Sequence, residues 1–300
     1  MRISTQQIYD SSITSIQNQA NDVMKNQTQI SSGKKYQNAS DSPQAVGYGL
    51  KLAFDKAQYD MYTINQKAMA GKISNADAQL TSISSALARF KQVVVQSTSA
   101  FAQGTLSTTL YQQALSLRDS IKSFAQAKDT SGQAILVNLA DATNSLSKIQ
   151  IDQNISVDSG VSLAESMGVY GNGDIPVDVS GSPLTRNVVS GKIDVLTLLD
   201  SIVSKLQSGT APNATDSTNL DTAVKQVLGA QVKVGILNNL VTNAQDSIAT
   251  KQNNAEDARS AILDTDVAEA SANLGKSQAL LQAAQSIFAK IQSSSLFDKI

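Results

Sequence analysis

The sequence predicts a mainly α fold with a small β-rich insert: an elongated helical rod whose N- and C-terminal helices pair as a coiled coil. Apolar residues recur at alternating spacings of three and four near both ends of the 300-residue chain. The same periodicity fills long segments next to the ends, and it changes to period two only in the middle. With 41% hydrophobic but only 4% aromatic residues, the composition favours long helices that touch along narrow stripes over one large core.

The most regular heptad pattern lies near the C-terminus. Its a and d positions, which together we call a seam, are Leu263, Val267, Ala270, Leu274, Ser277, Leu281, Ala284, Phe288 and Ile291. A comparable seam near the N-terminus consists of Tyr9, Ile13, Ile16, Ala20, Val23, Gln27 and Ile30. Because such a seam is buried only against another helix, we predict that the terminal helices meet. The candidate assembly interface is Ile13, Ile16, Ala20, Val23, Ile30, Leu263, Val267, Leu274, Leu281, Phe288 and Ile291.

The first predicted helix runs from about Thr5 to Ser32. Gly33 follows it and suits the left-handed conformation that often ends a helix, while Lys34 and Lys35 are favourable near the negative helix terminus. The Gly-Lys-Lys sequence lacks the strand and the earlier glycine of a phosphate-binding loop. We therefore interpret it as a helix cap.

The second predicted helix starts at Pro43, because Ser42 can accept a hydrogen bond from a free backbone N–H and proline fits the first helical position. One seam in it consists of Leu50, Phe54, Ala57, Met61, Ile64 and Ala68, and a second of Ile73, Ala76, Leu80, Ile83, Leu87, Phe90, Val94, Ser97 and Phe101. The two seams are out of phase across residues 69–72, so we predict a change of supercoil or a slight bend near Gly71. Without an interrupting proline, residues 44–103 would form a rod roughly 90 Å long.

After a turn at residues 103–107, the spacing predicts a shorter helix that returns along the rod and ends near residues 129–132. Its apolar positions are Leu110, Ala114, Leu117, Ile121 and Phe124. Alternation of period two then predicts a β-rich insert, with strands around Ile149 to Val157 and at residues 175–179. Residues 171–174 read Gly-Asn-Gly-Asp and lack the spaced carboxylates and distal Glu of a calcium loop, so they predict a turn.

Helical spacing resumes after the insert. It is carried by Ile193, Leu196, Leu199, Val203 and Leu206, breaks at residues 208–212, and continues through Leu220, Val224, Val227, Leu237, Val241, Ala244, Ile248, Ala255, Ala258 and Ile262. The chain thus goes out through helices, forms a β-rich tip and returns through helices. The predicted domains are a terminal coiled-coil assembly domain (1–42 with 255–300), a helical rod domain (43–135 with 186–254) and a small β-rich outer domain (136–185).

The chain has no Cys and no His, which excludes thiol nucleophiles, imidazole bases and zinc sites built on either residue. Its only Glu residues are Glu165, Glu256 and Glu269, and solvated helix faces explain them better than a paired-carboxylate site. We therefore predict no enzymatic activity, no catalytic residue, no cofactor and no metal. The net charge of -1 without a basic block argues against nucleic acid as a partner.

The sequence predicts neither a membrane span nor a secretory signal. No run of 18 apolar residues predicts a membrane span, and the N-terminus has no apolar region of the secretory kind. By these signals alone the protein is cytosolic. The absence of cysteine also suits a chain that is exported unfolded, since no stray disulfide could trap it outside the cell; chance absence explains it equally well.

Short motifs at the ends of the chain identify a known family. Arg2-Ile3-Ser4-Thr5, the sequence that ends Ser32-Gly33-Lys34-Lys35, Asp41-Ser42-Pro43 and the C-terminal Leu296-Phe297 resemble the flagellar hook-associated protein 3 family of hook-filament junction proteins, in the flagellin superfamily. The resemblance covers about the first 130 and the last 110 residues. Its family-motif positions are Arg2, Ile3, Ser4, Thr5, Ser32, Gly33, Asp41, Pro43, Leu296 and Phe297.

The resemblance implies a structural subunit of the bacterial flagellum, in a layer that joins the hook side to the flagellin filament. It implies these partners: a homo-oligomeric ring, flagellin, another hook-associated protein on the hook side, and an export chaperone. It also implies an extracellular location, reached through the flagellar type III apparatus without a cleavable signal peptide and without membrane insertion.

Three other functions compete with this one. A minor flagellin would elongate into long filaments by itself. A cell-wall hydrolase that travels with the flagellum would need a paired carboxylate site. A membrane-inserting translocator would need an apolar hairpin, which the sequence lacks.

Overall fold

The computed structural model describes residues 2–104, 108–139, 145–171 and 187–297, with the side chains of residues 2–6 and 293–297 left undescribed. The helices within these ranges are α1 (Arg2–Ser32), α2 (Pro43–Ala102), α3 (Thr108–Ala125), α4 (Leu163–Ser166), α5 (Val195–Gln207), α6 (Ala214–Leu263) and α7 (Val267–Phe297). The strands are β1 (Leu136–Val137), β2 (Lys148–Asp152), β3 (Ile155–Asp158), β4 (Val161–Ser162), β5 (Val169–Tyr170) and β6 (Asn187–Val188). The predicted class, mainly helical with a small β-rich insert, is confirmed.

The chain divides into two compact units. The terminal unit comprises Met1–Gln58 and Thr250–Ile300, and the central unit comprises Tyr59–Ala249. The domain limits predicted from the sequence remain a prediction.

In the terminal unit, helices α1 and α7 pack side by side. The rings of Tyr9 and Phe288 lie with their centroids 5.1 Å apart, and Asn26 Nδ2 donates a hydrogen bond to Ser277 Oγ at 3.3 Å. The seam residues Ala270 and Ser277 are buried, and such small side chains let two helix backbones approach closely. Contact between the terminal helices is therefore observed, whereas a coiled-coil geometry of that contact remains a prediction.

Helices α6 and α7 are separated by a short break. The seams on either side of Leu263 differ in phase by one residue, and α6 ends at Leu263 while α7 starts at Val267. Asp266 Oδ1 accepts hydrogen bonds from the backbone N–H groups of Ala268 (2.8 Å) and Glu269 (3.1 Å). Asp266 thus supplies partners for N–H groups that the first turn of a helix leaves free.

The connection from α1 to α2 has the predicted caps. Gly33 has φ +69°, the left-handed conformation that ends many helices. Pro43 is the first residue of α2, and Ser42 Oγ accepts a hydrogen bond from Ala45 N–H at 3.4 Å. The loop also pairs with the α6–α7 break, since Thr265 N–H donates to the Gly33 carbonyl at 2.9 Å. A cap, rather than a phosphate loop, fits this geometry.

In the central unit, the second predicted seam of α2 is buried, as expected. Its residues from Ile73 to Ser97 lie in the core, and Phe101 is half-buried. The buried row continues in the same phase toward the N-terminus through Met69, Gln66 and Tyr62. Our prediction that the seam changes phase at residues 69–72 was therefore wrong, and with it the reason to expect a bend near Gly71.

The first predicted seam of α2 is not buried. Leu50, Phe54, Met61 and Ile64 are 50–72% exposed. Beside Met61 and Ile64, side chains with polar groups take the buried positions instead: Gln66 Nε2 donates to the Ile151 carbonyl at 2.7 Å, and the Tyr62 hydroxyl accepts from Gln150 Nε2 at 3.4 Å. A pattern of apolar residues cannot reveal a face that is buried through hydrogen bonds.

The other helices of the central unit follow the predicted order. Helix α3 packs against α5, and Lys122 Nζ lies 2.8 Å from Asp200 Oδ1 across that contact. The predicted break after α5 is present, with Gly209 at φ +70°. Of the α6 seam residues within this unit, Val224 is half-buried and the others are buried as predicted: Leu220, Val227, Leu237, Val241, Ala244 and Ile248.

The described part of the insert contains three small strand pairs and the short helix α4. Strands β2 and β3 are antiparallel with a register shift between Gln150 and Asp152, β5 and β6 are antiparallel, and β1 and β4 are parallel. Buried insert residues, among them Ile151 and Met167, belong to the same hydrophobic core as α2, α5 and α6. The turn predicted at residues 171–174, beyond its first residue, and the strand at 175–179 lie outside the described residues.

Candidate assembly surfaces

The candidate interface residues of the terminal unit are only partly covered by the α1–α7 contact. Those that are half-buried are Ile13, Ile16, Ala20, Val23, Ile30, Leu263, Leu274, Leu281, Phe288 and Ile291. Val267 is exposed. Two helices cannot enclose one another, so each half-buried residue keeps apolar area that a further helix could cover.

Apolar residues beside the seams face solvent in the terminal unit. They are Ile8, Met24, Leu280 and Ile287. Together with the half-buried seam they make an apolar surface of the kind that marks protein–protein contacts. An assembly interface formed by the seam residues remains a prediction.

The family-motif positions fall into two groups. The side chains of Arg2, Ile3, Ser4, Thr5, Leu296 and Phe297 lie outside the described residues, although their backbones belong to α1 and α7. The remaining ones build the loop between α1 and α2. There, Ser32 Oγ accepts from Lys34 N–H at 3.2 Å, and Asp41 Oδ2 accepts from the N–H groups of Gln37 and Asn38, each at 3.0 Å.

These backbone hydrogen bonds from Asn38 and Gln37 hold the pKa of Asp41 below its ordinary value. The carboxylate is thus ionised and engaged in ordering the loop. We conclude that Ser32, Gly33, Asp41 and Pro43 act on the conformation of this connection.

A second charged group of the terminal unit lies at the end of α6. Arg259 Nη2 donates to Glu256 Oε1 at 2.9 Å, and Arg259 Nη1 donates to Asp264 Oδ1 at 3.0 Å. The hydrogen bond from Arg259 lowers the pKa of Glu256, with smaller help from Lys56. Because Asp264 lies in the α6–α7 break, this ion pair fixes the helix end beside the break.

A comparable cluster of the central unit lies where the insert meets α6. Lys233 Nζ lies 2.5 Å from Glu165 Oε1 and 3.0 Å from Asp158 Oδ2, and Lys192 Nζ donates to the Glu165 carbonyl at 2.8 Å. Burial lowers the pKa of Lys192. Burial also acts against the charge of Lys233, but its hydrogen bonds to Glu165 and Asp158 outweigh this and raise its pKa.

A shallow groove of about 430 Å³ lies beside this cluster, lined by Glu165, Lys192, Lys225, Gln226 and Lys233 among others. Lys233 engages both nearby carboxylates and so holds β3 and α4 against α6. An acid and base pair for catalysis would need carboxylates in two different protonation states. The cluster instead resembles a structural ion pair between elements.

Two further observations concern the described residues only. They contain no group of His, Cys, Asp and Glu side chains that could hold a metal ion. None of their helices has an apolar stretch long enough to cross a membrane.

Sequence reasoning missed one surface of the central unit. On α6, Leu228, Val232, Ile236 and Leu240 are 40–63% exposed. Their spacing of four was hidden because buried residues of α6 lie only one or two positions away from each of them, which makes the sequence apolar on two faces. Only the structure separates the two.

Two family models and two full-length relatives match this chain. The bacterial flagellin N-terminal helical region matches residues 3–166, and the bacterial flagellin C-terminal helical region matches residues 217–298. The flagellar hook-associated protein 3 of Escherichia coli K12 is 25% identical over 321 residues, and that of Salmonella typhimurium LT2 is 24% identical over 324. Each alignment covers 99% of this chain and 99% of the relative.

A solved structure shares the fold. It is assigned to the flagellar hook-associated proteins and comes from Vibrio parahaemolyticus, with a TM-score of 0.57 and 18% sequence identity. The match covers 74% of this chain and 99% of the other.

Proposed function

The chain belongs to the bacterial flagellin family, and we propose that it is the structural subunit that joins the hook side of the flagellum to the flagellin filament. The observation that carries this proposal is the match over 99% of the chain to two flagellar hook-associated proteins 3. The terminal motifs support the same assignment. A filament-forming flagellin is less favoured, because neither of these full-length relatives is named as one.

The partners follow from a junction role. The subunit forms a homo-oligomeric ring and contacts flagellin on one side and another hook-associated protein on the other. The half-buried seams of α1 and α7 support this, since Ile16 and Leu281 are among the residues that still have apolar area to bury. In the assembled ring, neighbouring terminal helices cover this area and complete the coiled coil.

Export precedes assembly in this proposal. The chain leaves the cell unfolded through the flagellar export apparatus, with a chaperone that shields its apolar terminal helices, and folds outside. A chain without cysteine suits this route, because no disulfide can form incorrectly on the way.

The role is structural rather than enzymatic. Glu165 pairs with Lys233 between α4 and α6, and Glu256 pairs with Arg259 within α6 and lies 3.7 Å from Lys56 Nζ of α2. That use of the two carboxylates supports an architectural function.

Deletion of the gene tests the proposal. Electron micrographs of the deletion strain are expected to show hooks without filaments, and the culture medium is expected to contain unassembled flagellin. A plasmid copy of the wild-type gene should restore the filaments. Filaments of normal number and length on the deletion strain would contradict a junction role.

A further inference from the structure

We propose that Lys192 is a covalent binding site, at which a small oxo acid, a compound with a carbonyl group and a carboxylate, attaches reversibly as an imine. Lys192 lies in the groove beside the Lys233 cluster, and all residues that line this groove belong to the central unit. Imine formation at Lys192 is independent of the junction role, which the deletion strain tests separately.

The fold holds Lys192 at the groove by both ends of the residue. The Lys192 backbone N–H donates to the Val189 carbonyl at 2.9 Å, in the turn that contains Gly191. The Lys192 Nζ donates to the Glu165 carbonyl at 2.8 Å. A backbone carbonyl accepts a hydrogen bond from a neutral amine as well as from an ammonium group. This contact therefore positions Nζ without requiring its charge.

The environment of Lys192 favours the neutral amine, in contrast to that of Lys233. Burial lowers the pKa of Lys192; the Glu165 carboxylate acts against this shift, and the Lys233 charge adds to it. Hydrogen bonds from Lys233 to Glu165 and Asp158 instead raise the pKa of Lys233 and keep it charged. A lysine that is desolvated next to another cation is the arrangement that activates an amine for attack on a carbonyl group.

The groove has room for a small ligand beside Lys192. Its volume is about 430 Å³, within the roughly 300–1,000 Å³ that small-molecule sites occupy. Gly191 and Gly229 both line it, and a Cβ atom placed on either glycine would have no atom within 4 Å. The walls beside Lys192 therefore leave open space rather than packed side chains.

The charges around the groove favour a ligand with a carboxylate. Lys192, Lys225 and Lys233 line the groove with a single carboxylate, that of Glu165. Lys225 is exposed, and it takes part in none of the ion pairs among the described residues. Its ammonium group is available to a ligand carboxylate, and hydrogen bonds between two charged groups are among the strongest.

The attachment needs no second reactant. The neutral Lys192 amine attacks the carbonyl carbon, so that a C–N bond forms and the electron pair of the C=O π bond moves to oxygen. The two N–H hydrogens are transferred through solvent to that oxygen, which leaves as water and gives the imine. No group is oxidised or reduced, and addition of water reverses the reaction.

Reductive trapping of the imine tests the site. The purified full chain is incubated at neutral pH with glyoxylate and sodium cyanoborohydride, which reduces an imine to a stable amine, and mass spectrometry locates the modified lysines. At low total modification we expect Lys192 to react ahead of Lys205 and Lys225. Lys205 is a matched control, because it is also half-buried but pairs with Asp216 at 2.7 Å.

The same reaction in urea shows whether the fold creates the preference. We expect the preference for Lys192 to be lost in the unfolded chain. Modification of Lys192 no faster than Lys205 in the folded chain, or an equal preference in urea, would overturn the proposal. Lys192→Arg keeps the charge and should remove the preferred site while leaving the circular dichroism spectrum and the labelling of other lysines unchanged.

A second comparison tests the recognition of the carboxylate. Lys225→Gln should slow the labelling of Lys192 by glyoxylate but not by acetaldehyde, which has no carboxylate. Lys225→Arg should retain the wild-type rate with both compounds. Equal labelling of Lys192 by glyoxylate in Lys225→Gln and in the wild type would show that an oxo acid is not the ligand.

The pH dependence of labelling gives a further check on the amine. Trace amounts of acetic anhydride, an uncharged reagent, are used at a series of pH values, and the rate at Lys192 is measured by mass spectrometry. Because only the neutral amine reacts, the midpoint of the rate profile should lie below 10.5, the ordinary value for lysine. A midpoint at or above this value would contradict an activated Lys192.

Discussion

Truncation of Phe90 should lower the stability of the central unit, because the Phe90 ring is buried in its core. Phe90 is fully buried in α2 and belongs to the core that α2 shares with α5, α6 and the insert. Phe90→Ala removes the buried ring and leaves a cavity, which costs about 3–5 kcal/mol in measured series. For a unit of this size, each kcal/mol lowers the melting temperature by about 2–4 °C. The expected loss is therefore roughly 6–20 °C.

The matched control is Val95→Ala on the same helix. Val95 is 54% exposed, so its truncation should change the free energy of unfolding by no more than about 0.5 kcal/mol. Thermal unfolding of both purified variants, followed by circular dichroism at 222 nm, gives the comparison. Equal melting temperatures for Phe90→Ala and the wild type would refute the buried position of this seam in the free subunit.

Three further predictions follow from the terminal helices, the insert and the ion pairs. Ile16→Asp and Leu281→Asp lie outside the hydrophobic core of the central unit, so they should leave the thermal transition of that core nearly unchanged but abolish incorporation into flagella, measured by immunoblot; incorporation at wild-type levels would contradict an interface role. Ile151→Ala, in the core, should destabilise by about 2–5 kcal/mol in urea unfolding, while the exposed Ile155→Ala should have little effect, and similar midpoints for both would contradict the shared core. Because Arg259 lowers the pKa of Glu256 in the folded state, the stability from this carboxylate is present above its unfolded pKa of about 4.5 and is lost as the pH falls through the lowered value. The difference in melting temperature between wild type and Glu256→Gln should therefore vanish at acidic pH, and a difference that grows there would contradict the sign.

The helical framework could be predicted because its signals are local. The heptad spacing from Ile73 to Phe101 and the cap residues Gly33, Ser42 and Pro43 each act within a few residues of themselves. Their positions in the structure agree with the prediction. Contact between α1 and α7 is likewise observed, whereas a coiled-coil geometry of that contact stays a prediction from two seams that both need a partner.

The face of α2 that is buried near its N-terminal part could not be predicted in this way. Apolar periodicity selected Leu50 to Ile64, but the core takes Tyr62 and Gln66 through hydrogen bonds to β2. Those bonds form only when a strand from residues 148–152 lies against the helix. The hydrogen-bond partner of Gln66 lies 85 residues away in the sequence. The spacing of apolar residues around Gln66 therefore does not show that Gln66 is buried.

The small strand pairs of the insert could not be predicted from the sequence either. The parallel pairing of Leu136 with Val161 joins two-residue strands, which are too short for a periodicity of two to be recognised. The ion pairs of Lys233 with Asp158 and Glu165 likewise join separate elements, and sequence reasoning assigned Glu165 to a solvated face. Contacts between distant short segments require the fold before they can be named.

The junction role itself is tested most directly by the position of the protein on the flagellum. Antibodies against the purified chain, visualised with gold in electron micrographs of complemented cells, should label one narrow band between the hook and the filament. Labelling along the length of the filament would show a flagellin-like subunit and contradict the account.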